Sequence, residues 1–150
     1  MFVFAAHTGL RLGEILSLKP EDVNLQQERV YVVRRRKSSK SVRQVDLPAT
    51  ALQVVSDRLE RGCDGRVFPY SGSYVSHSFV KIAEKAKLPR IRFHDLRHWQ
   101  ASILLAHGVN PKAVQERMGH HSAAFTLDVY GHLLPGLQKD AVQVIERVLH

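Results

Sequence analysis

The chain has 150 residues, 44% of them hydrophobic, with Lys+Arg 22 against Asp+Glu 14 and a net charge of +8. That is about one domain with enough apolar residues to exclude wholesale disorder; no apolar run approaches the roughly 18 residues that span a bilayer, MFVFAA is too short for a secretory h-region, and the single Cys63 can make neither an internal disulfide nor a cysteine zinc cluster. These features predict a protein of the reducing cytoplasm, off the membrane, whose cations face a polyanion.

In chain order, Met1 to His7 is apolar and stops at Thr8-Gly9, as a helix end does. Leu12, Ile15, Leu16 and Leu18 recur at helical spacing over 10–18. Pro20-Glu21-Asp22 predicts a short turn. Val30, Tyr31, Val32 and Val33 predict a strand over 29–34, and 43–47 alternates polar and apolar, with Val45 and Leu47 inward, as a second strand. Between them Arg35-Arg36-Lys37-Ser38-Ser39-Lys40-Ser41 makes a basic hairpin tip. Helices are expected over 49–61, 73–87 and 94–107, with an extended piece at 65–69. Asn110-Pro111 is an N-cap followed by a first-position proline, and Gly119 closes that helix. A helical stretch over 123–134 ends at Pro135, and a last helix carries Leu137, Ala141, Val144, Ile145 and Val148 on one face. The sum is mainly α with a small antiparallel β-sheet, an α+β domain.

Several polar residues stand at sharp positions. Arg11 follows Thr8-Gly9-Leu10 at a helix start, where a guanidinium can meet an anion beside backbone N–H groups. Glu14 lies one turn on and can orient it. His94 and Arg97 are spaced i, i+3 and share a helix face. His120 follows the Gly119 stop, Tyr130 lies beyond it, and Lys37 is on the hairpin tip. Two arginines, a lysine, two histidines and a tyrosine, with no carboxylate cluster, are a poor kit for a hard divalent metal. They suit a bare phosphodiester. Cations and imidazoles neutralise charge building on phosphorus oxygens, and tyrosine supplies a nucleophile for a covalent intermediate.

Five stretches carry a more specific signal: Thr8-Gly9-Leu10-Arg11-Leu12-Gly13-Glu14, Lys37 through Leu47, His94-Asp95-Leu96-Arg97-His98, Met118-Gly119-His120-His121, and Thr126 through His132. In this order and spacing the chain resembles the catalytic domain of the tyrosine recombinases, the phage integrase family. The resemblance implies that fold, with residues 1–150 as a single integrase-type catalytic domain lacking its first helices and the upstream core-binding domain. It implies that Arg11 and Arg97 are the two catalytic arginines, Lys37 the hairpin lysine, His94 the first residue of His-x-x-Arg, His120 the position that is His or Trp, and Tyr130 the nucleophile. Glu14 and His98 support the site. Arg34, Arg35, Arg36, Lys40 and Arg43 are expected to bind DNA. Lys40 is an alternative to Lys37, which the Lys-x-x-x-Ser-x-Arg spacing favours. The implied activity is site-specific recombination through a 3′-phosphotyrosyl bond, with no metal and no other cofactor. The implied partners are double-stranded DNA and further copies of the protein in a tetramer, with the C-terminal helix either packing in cis or docking in trans on a neighbouring copy.

Plainer readings attach to other residues. His94 and His98 are spaced i, i+4, but no Glu sits between them as His-Glu-x-x-His requires, so zinc is disfavoured. His7, His77, His107 and His150 read as surface or helix-end histidines, Tyr31, Tyr70 and Tyr74 as packing or surface residues, Trp99 as core, and Cys63 as inert. Two rival functions share the composition: a DNA-binding module with an idle site, and a topoisomerase-like relaxing activity.

Overall fold

Phe2–Thr8 form the first helix, α1, which buries Phe4, Ala5 and Thr8 and stops at Gly9. A computed structural model gives the structure and describes residues 1–35, 40–122, 124, 126 and 137–149; at 34, 35, 40, 41, 137–141 and 149 it describes the backbone path alone. Helix α2 is Leu12–Ser17, and a 3-10 turn at Pro20–Asp22 follows. Strands β1 (Val23–Asn24), β2 (Arg29–Arg35) and β3 (Lys40–Asp46) make one antiparallel sheet in that order. Then come α3 (Ala49–Glu60), α4 (Gly72–Lys85), α5 (Asp95–Ala106), α6 (Pro111–Met118) and α7 (Leu137–Leu149).

The sheet has one inward face. Val30 pairs with Val45 and Val32 with Arg43, and the three valines are buried. They pack with Phe4, Ile15, Leu47, Ala51, Val55 and Phe68 in the main core. Each such large side chain taken out of water stabilises the fold by about 1.5–3 kcal/mol. Phe2, Phe79 and Phe93 meet with ring centroids 5.6–6.1 Å apart, which ties the entrance of α5 to α1 and α4. A second cluster, Ala101, Leu105, Val114 and Met118, joins α5 to α6.

The mainly helical α+β expectation holds. Three local readings need correcting. Strand β1 was not expected; two residues are too few to show alternation, and it exists only by pairing with β2. Strand β3 starts at Lys40 rather than Arg43. The 65–69 piece buries Val67 and Phe68, and the Val67 N–H donates to the Leu18 carbonyl at 2.9 Å. Trp99 is 56% exposed, not core. The helix expected over 123–134 lies mostly outside the described residues. No described helix is long and apolar enough to cross a membrane.

Candidate active site

Two glycine turns face each other and set the site. At the end of α1, Gly9 is left-handed, with φ 64°. A Cβ there would lie 2.1 Å from Gln100 Oε1, the movable end of that side chain, so it is the left-handed backbone that favours glycine here. The Gly9 carbonyl accepts from Arg97 Nη1 at 2.6 Å. Two residues on, Arg11 caps α2, and its backbone N–H donates to Glu14 Oε2 at 2.8 Å. This is the acidic half of a capping box.

The second turn ends α6. Asn110 Oδ1 accepts from Lys112 N at 2.8 Å, Pro111 takes the first helical position, and Gly119 closes the helix with φ 62°. A helix end leaves carbonyls without intrahelical partners and carries partial negative charge. Here arginines meet those carbonyls. Arg117 O accepts from Arg43 Nε at 3.2 Å. Met118 O accepts from Arg97 Nη2 and, at 3.5 Å, from Arg11 Nη1. Gly119 O accepts from Arg11 Nη2 at 3.4 Å. Arg97 is only 4% exposed. Its charge is aimed by backbone dipoles from two separate turns.

Glu14 is the carboxylate at the centre. Arg43 grips it with both ends of its fork, Nη1 to Oε1 at 2.8 Å and Nη2 to Oε2 at 2.9 Å, while Arg11 Nη1 reaches Oε1 at 3.2 Å. Burial alone pushes this carboxyl up. Hydrogen bonding and charge from Arg43, then the Arg11 N–H and guanidinium, outweigh burial and hold the pKa at about 2.

The histidines line the neighbouring side. His94 caps α5 between buried Phe93 and Asp95, whose Oδ2 takes the Arg92 N–H at 2.7 Å. Its ring meets that of His98 edge-on, centroids 4.8 Å apart. Burial, then the charges of His98, Arg97 and Arg11, lower the His94 pKa. His120 is pinned by backbone, its N–H to Gln115 O at 3.0 Å and its carbonyl to Gln115 Nε2 at 2.7 Å. Its Nδ1 lies 2.9 Å from Oγ1 of buried Thr126. Burial first, then Arg97 and Arg11, lower its pKa to about 4, so the ring is neutral at pH 7.

Arg11, Glu14, Arg97, His94, His98 and His120 therefore gather from three places in the chain. Arg43, expected on DNA, instead directs its fork into the protein, because its pairing with Val32 sets it on the sheet's inward face. Lys37, Arg36 and Tyr130 lie outside the described residues. Arg34 pairs with Ser41 and Arg35 with Lys40 near the hairpin tip. Sequence reasoning gave no role to Arg117, whose Nη1 and Nη2 hold the Asp46 and His7 carbonyls at 2.9 Å each, or to Thr126 behind His120. Among the described residues no group of three or more His, Cys, Asp or Glu is placed to hold a metal.

This geometry has close relatives. The chain is 25% identical to a XerC-like tyrosine recombinase of Caldanaerobacter subterraneus, across 97% of this chain and 48% of the relative. It is 27% identical to the ICEBs1 integrase of Bacillus subtilis, across 99% of this chain and 48% of the relative. The chain spans about half the length of these curated relatives. Among solved structures, the Tn1549 transposon integrase in complex with transposon right end DNA superposes with TM-score 0.80 at 21% identity, covering 99% of this chain and 58% of that one. The crystal structure of XerA recombinase superposes with TM-score 0.76 at 25% identity, covering 94% and 54%. The Phage integrase family model matches residues 1–136. The chain belongs to the phage integrase family.

Proposed function

We propose that this chain cuts and rejoins double-stranded DNA in site-specific recombination, through a phosphotyrosyl intermediate. The observation that carries the reading is the meeting of Arg11 and Arg97, distant in sequence, on one carbonyl, that of Met118. The two guanidiniums are held side by side, Arg97 through backbone carbonyls and Arg11 through carbonyls and Glu14, so that one phosphate can meet both. His94 and His120 stand next to them as neutral imidazoles.

Each group then has a role. Arg11 and Arg97 hold the nonbridging oxygens of the scissile phosphate. The Tyr130 oxygen attacks phosphorus while its proton passes to His94. The bond from phosphorus to the 5′ oxygen breaks, and that oxygen takes a proton from Lys37. His120 Nδ1 lies against Thr126 Oγ1; in the tautomer that serves the reaction Nδ1 accepts from that hydroxyl, and Nε2 carries the proton and donates it toward the phosphate. Rejoining runs the same steps backwards with another 5′-hydroxyl. Relatives of the fold were solved on DNA, among them a post-cleavage complex of XerH with difH, which supports duplex DNA as the partner here.

Self-association belongs to the same proposal. Val142, Val144, Ile145 and Val148 on α7 are all more than half exposed, an apolar face suited to a second copy bound on the same DNA. Sedimentation of wild type and Val148→Asp on DNA tests this, with loss of the higher assembly expected in the variant.

The reading is tested on nicked suicide duplexes taken from the DNA flanking the protein's own coding region. Wild type forms a covalent adduct that resists denaturation and survives EDTA, and Tyr130→Phe forms none. Adduct formation by Tyr130→Phe, or a requirement for divalent metal, contradicts the assignment. Tight binding without any adduct supports the idle DNA-binding module instead.

A further inference from the structure

We propose that Arg43 is a positioning residue, a joint that locks strand β3 to the Arg11–Glu14 pair and to the end of α6, and not a contact to DNA. The inference rests on the cleavage reading above for its consequence in catalysis, but its structural content stands apart from it.

Three observations carry it. The first is register. Arg43 lies opposite Val32, two residues before Val45 and four before Leu47, and these neighbours are buried. Alternation along a strand therefore puts Arg43 on the core side. The second is burial with full pairing. Its side chain is only 16% exposed and that of Glu14 11%. A charge at such a place is costly unless it is paired and hydrogen-bonded. The fork and the carboxylate meet in the bidentate geometry that arginine provides and lysine does not. The third is the Nε bond to the Arg117 carbonyl at 3.2 Å. One planar group thus spans three elements, β3 by its own backbone, α2 through Glu14, and α6 through Arg117 O. It also lies under the Gly119 turn, where a Cβ would come within 3.0 Å of the guanidinium.

The consequence is a chain of support. Arg43 fixes the Glu14 carboxylate. Glu14 fixes the Arg11 backbone and guanidinium. The α6 end that Arg43 grips is the same end that aims Arg11 and Arg97. Without the fork, Glu14 would be a buried carboxylate facing only Arg11, and the two phosphate arginines would lose their common reference.

The test uses Arg43→Gln and Arg43→Lys in the full chain, each with and without Glu14→Gln. Binding to a 30-base-pair duplex of arbitrary sequence is measured against salt. A phosphate contact would lower the slope of log affinity on log salt by about 0.9 when removed; a positioning residue leaves the slope unchanged. Carbon-detected NMR titration of Glu14 reads the joint directly, and Arg43→Gln is expected to raise its midpoint by more than about one pH unit. On the suicide duplexes Arg43→Gln should cut adduct formation about 100-fold, the scale of a small misplacement of reacting groups. Adding Glu14→Gln should cost little more, because both act through one unit. Arg43→Lys keeps charge without the fork, so it should return the Glu14 midpoint toward wild type and recover part of the rate. If Arg43→Gln does not fold, Arg43→Lys decides by titration and rate, because the lost fork should leave the Glu14 midpoint above wild type and adduct formation below it, and wild-type values of both overturn the proposal. A lowered salt slope with an unmoved Glu14 midpoint overturns the proposal. Absence of any adduct in wild type contradicts the cleavage reading but leaves the slope and the titration to decide the place of Arg43.

Discussion

The arginines and the histidines of this site are adjacent but held by opposite means. Arg11, Arg43 and Arg97 lean on the carbonyls of two glycine-closed turns, and two of them also lean on Glu14. His94 rests edge-on against another imidazole, and His120 against a threonine hydroxyl. An arginine cannot shed its proton, so backbone dipoles can aim it without changing its charge. Its neighbours feel the field instead. Burial and the arginine charges lower the pKa values of both histidines. The site thus separates permanent charge, which suits a phosphate, from neutral imidazoles, which suit proton transfer.

The largest effect is expected on the arginine side. Arg97→Ala should lower adduct formation about 10²–10³-fold, the scale for losing one preorganised donor at a developing anion. It should also cost about 1–3 kcal/mol in a urea melt, because the Gly9 and Met118 carbonyls lose a buried donor. Most duplex affinity should remain, since other cations meet the backbone. An equal loss of binding would undo that division.

Glu14→Gln should come next. Its folded pKa is depressed, from 4.5 to about 2, so the ionised carboxylate stabilises the fold fully above 4.5 and loses that contribution as pH falls toward 2. The variant should be about 2–3 kcal/mol less stable at pH 7 and converge on wild type near pH 2. A constant gap at all pH values would contradict the pairing.

His120→Gln sharpens the other side. The unfolded histidine titrates at 6.5 and the folded one near 4, so the unfolded chain binds the extra proton between those values. Wild-type stability should therefore fall as pH drops from 6.5 to 4, and the variant should flatten that part of the curve. The smallest effect belongs to an exposed pair. Lys112 and Glu116 meet at 3.4 Å across a helix turn, both side chains more than half exposed, and Lys112→Ala should shift stability by no more than about 0.5 kcal/mol.

Much of this was legible in the sequence. The Thr8-Gly9 and Gly119 stops mark the two turns, and the i, i+3 spacing of His94 and Arg97 puts them on one face of α5. The inward position of Arg43 was also legible, because it shares parity with Val45 and Leu47; its positive charge drew it toward DNA instead. Trp99 was misread for a similar reason. Hydrophobicity favoured the core, but the buried stripe of α5 runs through Arg97, Ala101 and Leu105, and position 99 is off that stripe. The contacts of Arg117 with Asp46 and His7, and of Arg43 with Glu14, join residues far apart in the chain. Local pattern carries no signal for such pairings, which arise only when the helices pack on the sheet.

The central claim is that Arg11 and Arg97 hold a phosphate for Tyr130. The most direct measurement is mass spectrometry of the adduct after nuclease trimming and trypsin. The expected result is a nucleotide carried through its 3′ phosphate on Tyr130, within the peptide Met118–Lys139, and about 10²–10³-fold less of that peptide from Arg97→Ala. A nucleotide on another residue, or a 5′-phosphate linkage, would contradict it.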